Sequence, residues 1–137
     1  MNKTYLRVYS ANRSSGDASN PVFNLTQSIE GITAFQVKQV MFEKNNITSN
    51  TIKINSRELS NLTNDNIQGT YSGASQTIHE INILNNAENR FGDSPKFHCH
   101  KTNLYNLSFE LRDSDGVSAV GGLNDDETWS ILLCFYH

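Results

Sequence analysis

The stretch Trp129-Ser130-Ile131-Leu132-Leu133-Cys134-Phe135-Tyr136 is a nearly continuous apolar run that stands just before His137. A strand with one face in water alternates apolar and polar side chains, whereas a strand covered on both faces is apolar throughout. We therefore predict that this stretch forms a central strand of a sheet, with side chains buried on both of its faces.

The residues before this strand alternate in the way expected of a sheet with one buried face. Leu107, Phe109 and Leu111 fall on one face of a strand predicted over residues 104–112. The tight-turn signal Asp-Gly follows within Asp113-Ser114-Asp115-Gly116. The same alternation predicts a half-buried strand over Thr51-Ile52-Lys53-Ile54-Asn55. Lys96 to Lys101 is predicted as a further strand.

The longest early apolar segment, Ile32 to Glu43, changes its alternation partway along. Phe35 and Val37 point one way by a period of two, whereas Val40 and Phe42 point the other way. A slip of one residue around Lys38-Gln39 indicates either a β-bulge or a strand that is buried on both faces.

One segment departs from the strand period. Ile78, Ile81 and Leu84 are three residues apart, and Thr77-Ile78-His79-Glu80 has the form of a helix capping box. We predict a short helix over about 75–86.

Length and composition favour a single β-rich domain. The chain has 137 residues, of which 36 % are hydrophobic and 18 % charged, and Asn, Ser and Thr fill the difference. We predict an all-β fold: one eight-stranded jelly-roll sandwich over 1–137 with the short inserted helix. The polar stretch Ser10 to Pro21 has little to bury, so residues 1–21 are expected to be a partly flexible arm that orders against another molecule.

Charge and apolar runs exclude several classes of partner. The formal net charge is −3 and the Lys and Arg residues are scattered, so we expect no nucleic-acid binding. No apolar run approaches the roughly 20 residues that span a bilayer, and the start has no signal-peptide pattern. We therefore expect a protein that is not secreted, in which Cys99 and Cys134 are reduced thiols in strands.

His98-Cys99-His100 is the strongest candidate for a metal site. On a strand the two imidazoles project from the same face and could share one metal ion. Gly92, five residues and then His98-x-His100 match the opening of the cupin motif, and cupins are jelly rolls. The Glu that the cupin pattern requires next is replaced by Leu104 or Tyr105. A cupin-like metal-binding protein using His98 and His100 is therefore the alternative, and we predict no metal residue.

The remaining candidate residues have simpler structural explanations. Neither Cys99 nor Cys134 has a predicted partner that would lower the pKa of its thiol, and no nucleophile motif is present. Trp129 could line a carbohydrate groove but is better explained as core. Turn and loop chemistry accounts for the acidic residues that could gather around Ca²⁺, and we predict no catalytic or cofactor residue. These acidic residues are Asp113, Asp115, Asp125, Asp126 and Glu127.

From Phe23 to Tyr136 the order of segments resembles the single jelly-roll penton (vertex) proteins of virophages, polinton-like viruses and related double-jelly-roll DNA viruses. The segments that carry the resemblance are, in chain order, Phe23-Asn24-Leu25, the Val/Phe-rich strand to Asn45-Asn46-Ile47, Ile52-Lys53-Ile54, Ile67-Gln68-Gly69-Thr70-Tyr71, Leu107 to Gly116 and Trp129 to Tyr136.

This resemblance implies a non-enzymatic structural capsid protein that forms homopentamers at icosahedral five-fold vertices. Its implied partners are further copies of itself, a double jelly-roll major capsid protein and minor capsid proteins. The implied location is the virion, after synthesis in the host cytoplasm or a viral factory.

Overall fold

The computed structural model describes residues 2–42, 47–63, 77–82, 90–123 and 128–137. Asn45 and Asn46, which belong to the Val/Phe-rich segment of the resemblance, and the acidic residues Asp125, Asp126 and Glu127 lie outside these residues. Within them the chain forms one α-helix, α1 (Arg57–Thr63), and nine strands. The strands are β1 (Lys3–Tyr9), β2 (Ser15–Gly16), β3 (Pro21–Phe42), β4 (Thr51–Asn55), β5 (Thr77–Asn82), β6 (Arg90–Phe91), β7 (Phe97–Ser108), β8 (Glu110–Arg112) and β9 (Trp129–Tyr136).

The strands form two antiparallel sheets around one core, so the chain is an all-β sandwich, in agreement with the predicted jelly roll. The larger sheet has the order β1-β9-β3-β2, and β6 and β7 also pair with β3. The smaller sheet has the order β5-β4-β8. Buried side chains from both sheets belong to one cluster, for example Ile54 and Leu111 from the smaller sheet and Ile131 and Leu133 from the larger.

β9 is the central strand that its apolar sequence predicts. It pairs with β1 along one edge and with β3 along the other. Its inward side chains, Trp129, Ile131, Leu133 and Phe135, lie in the core, and Cys134 on the opposite face is also fully buried. Both faces are therefore covered, as predicted.

The slip at Lys38-Gln39 is a β-bulge. The register between β3 and β9 shifts between Val37 and Gln39, so Lys38 is the additional residue. The bulge turns Val40 and Phe42 to the same side as Phe35, and all three are buried.

The predicted strands over 96–101 and 104–112 are divided differently in the structure. β7 runs without interruption through both segments and pairs with β3 of the larger sheet. β8 begins two residues later and pairs with β4 of the smaller sheet. Phe109 stands between them and is buried, so the chain changes sheets at this residue. Its neighbours Leu107 and Leu111 are buried too, as their alternation predicts.

The predicted helix over 75–86 is wrong for the residues described there. Thr77–Asn82 is strand β5, which pairs with β4. Between the pairs Ile54–His79 and Asn55–Thr77 the register shifts, so β5 carries one additional residue, Ile78. This bulge lets Ile78 and Ile81 both be buried although they are three residues apart. A bulged strand therefore imitates the helical period. The Thr77 hydroxyl donates a hydrogen bond to Asn55 Oδ1 (2.7 Å) instead of capping a helix.

The helix observed is α1, which begins right after Ser56 in a segment for which the sequence predicted no helix. The Ser56 hydroxyl accepts the Leu59 N–H (3.4 Å), as an N-cap residue does. Glu58 in the first turn accepts hydrogen bonds from Ser108 N (2.7 Å) and Ser108 Oγ (2.8 Å). This carboxylate ties the helix to the end of β7, next to the point where the chain changes sheets.

The polar stretch that was predicted to order against another molecule contacts its own chain. Ser14 N donates to Val22 O (2.7 Å), and the Leu111 N–H donates to Ser19 O (2.8 Å). The Trp129 indole N–H donates to Ala18 O (2.7 Å). The partial flexibility of residues 1–21 stays a prediction.

Because Leu133 fills the core from the central strand, we expect Leu133→Ala to lower the free energy of unfolding by about 2–5 kcal/mol. Leu132 is the matched control, since it precedes Leu133 on β9 but faces outward and is half-buried. Leu132→Ala should cost about 1 kcal/mol. Urea denaturation of both variants measures the difference, and equal losses would contradict the assignment of the inward face.

Candidate functional site

The outward face of the larger sheet, meaning the face turned away from the core, is composed of residues from both ends of the chain. The strand registers align Lys3 with Tyr136, Tyr136 with Ala34, and Ala34 with His98. These four residues form a row across β1, β9, β3 and β7. The neighbouring rows are Tyr5-Cys134-Gln36, Arg7-Leu132-Gln39 and Tyr9-Ser130-Met41. These rows contain Lys and Arg residues but no Asp or Glu.

Two ammonium groups lie against one aromatic ring of this face, near the end of β9. Lys96 Nζ is 3.8 Å and Lys3 Nζ is 5.4 Å from the centroid of the Tyr136 ring. Both distances are within the range of cation–π attraction. Ala34, Cys134 and Tyr136 form a small buried cluster separate from the main core. The ring and the two lysine side chains thus help to cover the outward side of β9.

Arg7 covers the same strand further along. Its guanidinium donates to Ser130 Oγ (3.1 Å) on β9 and to Gln39 Oε1 (2.7 Å) on β3. Since β9 lies between β1 and β3, the Arg7 side chain crosses β9 at the level of Leu132. Both acceptors are neutral, so the positive charge of Arg7 is not compensated by these contacts.

The bulge in β3 places an ion pair beside this face, in which Asp93 neutralises the charge of Lys38. Lys38 Nζ lies 3.2 Å from Asp93 Oδ2, and this hydrogen bond raises the pKa of Lys38. The next residue, Ser94, is buried and pairs with the backbone of the bulge: Val37 N donates to Ser94 Oγ, and Ser94 N donates to Val37 O (both 2.9 Å). No sequence motif indicated this role of Ser94.

Exposed tyrosines accompany the cations. Tyr5 is 57 % exposed and Tyr9 43 % exposed on β1, and Tyr105 on β7 is 64 % exposed. β1 pairs with β9 along one edge, and among the described residues no strand pairs with its other edge. Exposed aromatic side chains are enriched at protein interfaces, and a free strand edge can accept a further strand.

The candidate metal pair is on this outward face. His98 and His100 are both exposed on β7, two residues apart as predicted. Leu104, at one of the positions where a cupin places its Glu, is buried in the core, and Tyr105 is exposed. Among the residues described, no three His, Cys, Asp or Glu side chains come together in a way that could hold a metal ion.

The Asp-Gly turn has the geometry that its sequence predicts. Gly116 N donates to Asp113 O (2.8 Å), and Gly116 has a φ of 75°, which suits glycine. The Asp115 carboxylate accepts Ser118 Oγ (2.6 Å) and the N–H groups of Val117 and Ser118 (2.8 Å each). These hydrogen bonds lower the pKa of Asp115 to about 2, and the bond from the Ser118 hydroxyl has the largest effect. Asp115 is therefore an exposed, fixed negative charge.

The other candidate residues belong to the packing of the sandwich. Cys99 and Cys134 are free cysteines on strands, half-buried and buried respectively, and burial raises the pKa of the Cys99 thiol. Trp129 is 2 % exposed and packs edge-on against Phe109, with 6.0 Å between the ring centroids, so it lines no groove. His79 was predicted within the capping box of a helix but is half-buried on β5, where burial lowers its pKa and its Nε2 lies 2.7 Å from Gly92 O.

A cleft of about 390 Å³ opens beside β1. His137 closes one side of it, with Nε2 2.6 Å from Thr4 Oγ1 and Nδ1 2.7 Å from Glu30 O. The cleft mixes apolar and polar side chains and holds no group of reactive residues. The residues that line it are Thr4, Leu6, Leu25, Thr26, Gln27, Ser28, Ile29, Glu30 and His137.

Comparisons with known proteins give a structural likeness to a phage capsid. No protein-family profile matches the chain, and no curated protein matches it. Among solved structures, the chain is similar to one in the acidic stable capsid structure of Helicobacter pylori bacteriophage KHP30, with 10 % sequence identity and a TM-score of 0.49. The match covers 98 % of this chain and 87 % of the phage chain. At that TM-score the likeness carries no argument about function.

In the part of the chain that the structure describes, no helix is long and apolar enough to cross a membrane.

The hydrogen bonds to Asp115 predict a specific dependence on pH. Because its pKa in the folded state is below the ordinary value of 3.8, its contribution to stability is present above pH 3.8 and is lost as the pH falls through about 2. The melting temperature of Asp115→Asn should therefore decrease less between pH 4 and pH 2 than that of the wild-type chain. The same decrease in Asp115→Asn and in the wild-type chain would contradict this assignment.

Carboxyl NMR shifts test the cause directly. Ser118→Ala removes the hydrogen bond that lowers the pKa of Asp115 most, so this pKa should move back toward 3.8. Glu80→Gln changes an exposed carboxylate on β5 and serves as the matched control, which should leave the Asp115 titration unchanged.

Proposed function

We propose that this chain is a non-enzymatic structural protein of a viral capsid, which works by assembling with copies of itself and with neighbouring capsid proteins. The observation that carries the proposal is the placement of its exposed aromatic and cationic side chains. Tyr5, Tyr9, Lys3 and Lys96 lie on a broad sheet face and on β1, whose outer edge pairs with no strand that the structure describes. A protein that works by binding other proteins through the outer surfaces of its sandwich needs this arrangement.

The sandwich also suits repeated assembly in physical terms. A contact between two different surfaces of identical copies generates a ring when the rotation between copies closes. The chain offers two different surfaces, because the outward face of the larger sheet and the smaller sheet lie on opposite sides of one core. These two surfaces are sufficient for a ring, so no further secondary-structure element is required.

The penton role is the finer part of the proposal. Its support is the resemblance that runs from Phe23 to Tyr136, together with the sandwich that this resemblance implies. The chain then forms homopentamers at five-fold vertices, and its neighbours are a double jelly-roll major capsid protein and minor capsid proteins. The virion is the proposed location, and residues 1–21 are the proposed arm that contacts adjacent capsid components.

A pentamer has a mass of roughly five times 15.4 kDa, about 77 kDa. We expect native mass spectrometry and light scattering of the purified chain to find this species. Cryo-electron microscopy of purified particles should place it at the five-fold vertices. A chain that stays monomeric at every concentration and is missing from purified particles would exclude the capsid role. A trimer or dimer within particles would exclude the penton role alone.

A further inference from the structure

Lys3 and Lys96 are an unusual pair because they place two positive charges against one ring. Among the described residues neither ammonium group takes part in an ion pair. Both side chains are exposed. Like charges repel each other, weakly in water, and a carboxylate that contacts both ammonium groups would convert this repulsion into attraction.

The surroundings of the pair suit an anionic protein surface. Arg7 adds a third cation with neutral hydrogen-bond acceptors, and Lys38 is already neutralised by Asp93. Tyr5, in the neighbouring row, supplies exposed aromatic area. The chain as a whole has a net charge of −3, although the outward face of the larger sheet carries these cations. The rest of its surface is therefore more acidic than the chain average. A second copy of the chain therefore has the complementary charge.

The turn over 113–118 presents a well-ordered anion on such a second copy. Its Asp115 carboxylate is exposed and is held in place by hydrogen bonds from Val117 and Ser118. A carboxylate has about four acceptor positions, so capacity remains for an ammonium donor. Because the group is already ordered, binding it costs little side-chain entropy.

The sandwich keeps this turn away from the basic face of its own copy. The turn follows β8 in the smaller sheet, whereas Lys3 and Lys96 lie on the side of the larger sheet that faces away from the smaller sheet. The charges can therefore meet between copies but not within one. A contact of this kind joins two different surfaces, as a ring requires.

We propose that the Lys3–Lys96 pair binds the Asp115 carboxylate of a second copy, and that this contact joins neighbouring subunits in the oligomer. The inference rests on the proposed self-assembly and adds which two surfaces of neighbouring copies meet.

A double-mutant cycle tests the contact. Lys3→Gln/Lys96→Gln and Asp115→Asn should each weaken self-association about tenfold or more in sedimentation velocity experiments, and combining them should weaken it no further. Asparagine retains an acceptor for the turn, so the turn is preserved in Asp115→Asn. The salt dependence of association should also decrease in each variant.

The matched control is Arg57→Gln/Lys101→Gln, which removes two exposed positive charges away from the Tyr136 ring and should leave association unchanged. Circular dichroism and melting temperature verify that every variant folds.

Several results would overturn the contact. Unchanged association in Lys3→Gln/Lys96→Gln, or losses that multiply in the combined variant, would exclude the contact while leaving the capsid proposal intact. If the wild-type chain binds a DNA duplex and Lys3→Gln/Lys96→Gln loses that binding but keeps the oligomer, the face belongs to nucleic acid. A wild-type chain that never self-associates would exclude the contact, and it would exclude the capsid proposal only if the chain is also missing from purified particles.

Discussion

The burial of both faces of β9 is the constraint on which the rest of this structure depends. Its inward side chains fill the core, so the smaller sheet, with Ile52 and Ile54, has to pack against them. Its outward side chains also need cover, which the Arg7 side chain and the Tyr136 ring provide. An apolar strand with only one covered face would leave a large hydrophobic patch in water.

The partners of β9 come from distant parts of the chain, and this makes the fold a long-range one. β1 holds one edge over the full length from the Lys3–Tyr136 pair to the Tyr9–Ser130 pair. β3 holds the other edge, with a bulge at Lys38 that keeps its apolar residues turned inward. Pairing the first strand with the last requires closing a loop of nearly the whole chain, and such pairing forms slowly because of its entropy cost.

The same arrangement separates packing from function. The core takes the aromatic residues that could have lined a ligand groove, above all Trp129, whose indole N–H is used within the chain by Ala18 O. Lys3, Lys96 and His98 remain outside, on the outward face of the larger sheet. A surface of tyrosines and cations over a rigid sheet suits recognition of another protein, since its side chains are already positioned by the strands beneath them.

The sequence by itself determined the features that depend on neighbouring residues: the apolar central strand, the slip in alternation at Lys38-Gln39, the alternation over Thr51–Asn55 and the Asp-Gly turn. Local spacing was misleading at Ile78 and Ile81, because a bulged strand and a helix both place apolar residues three apart. Only the tertiary structure decided where β7 ends and the chain changes sheets, and which residues share the outward face. Lys3, Ala34, His98 and Tyr136 are aligned by the register between strands. That register is set by the packing of the whole core, and no segment read alone contains it.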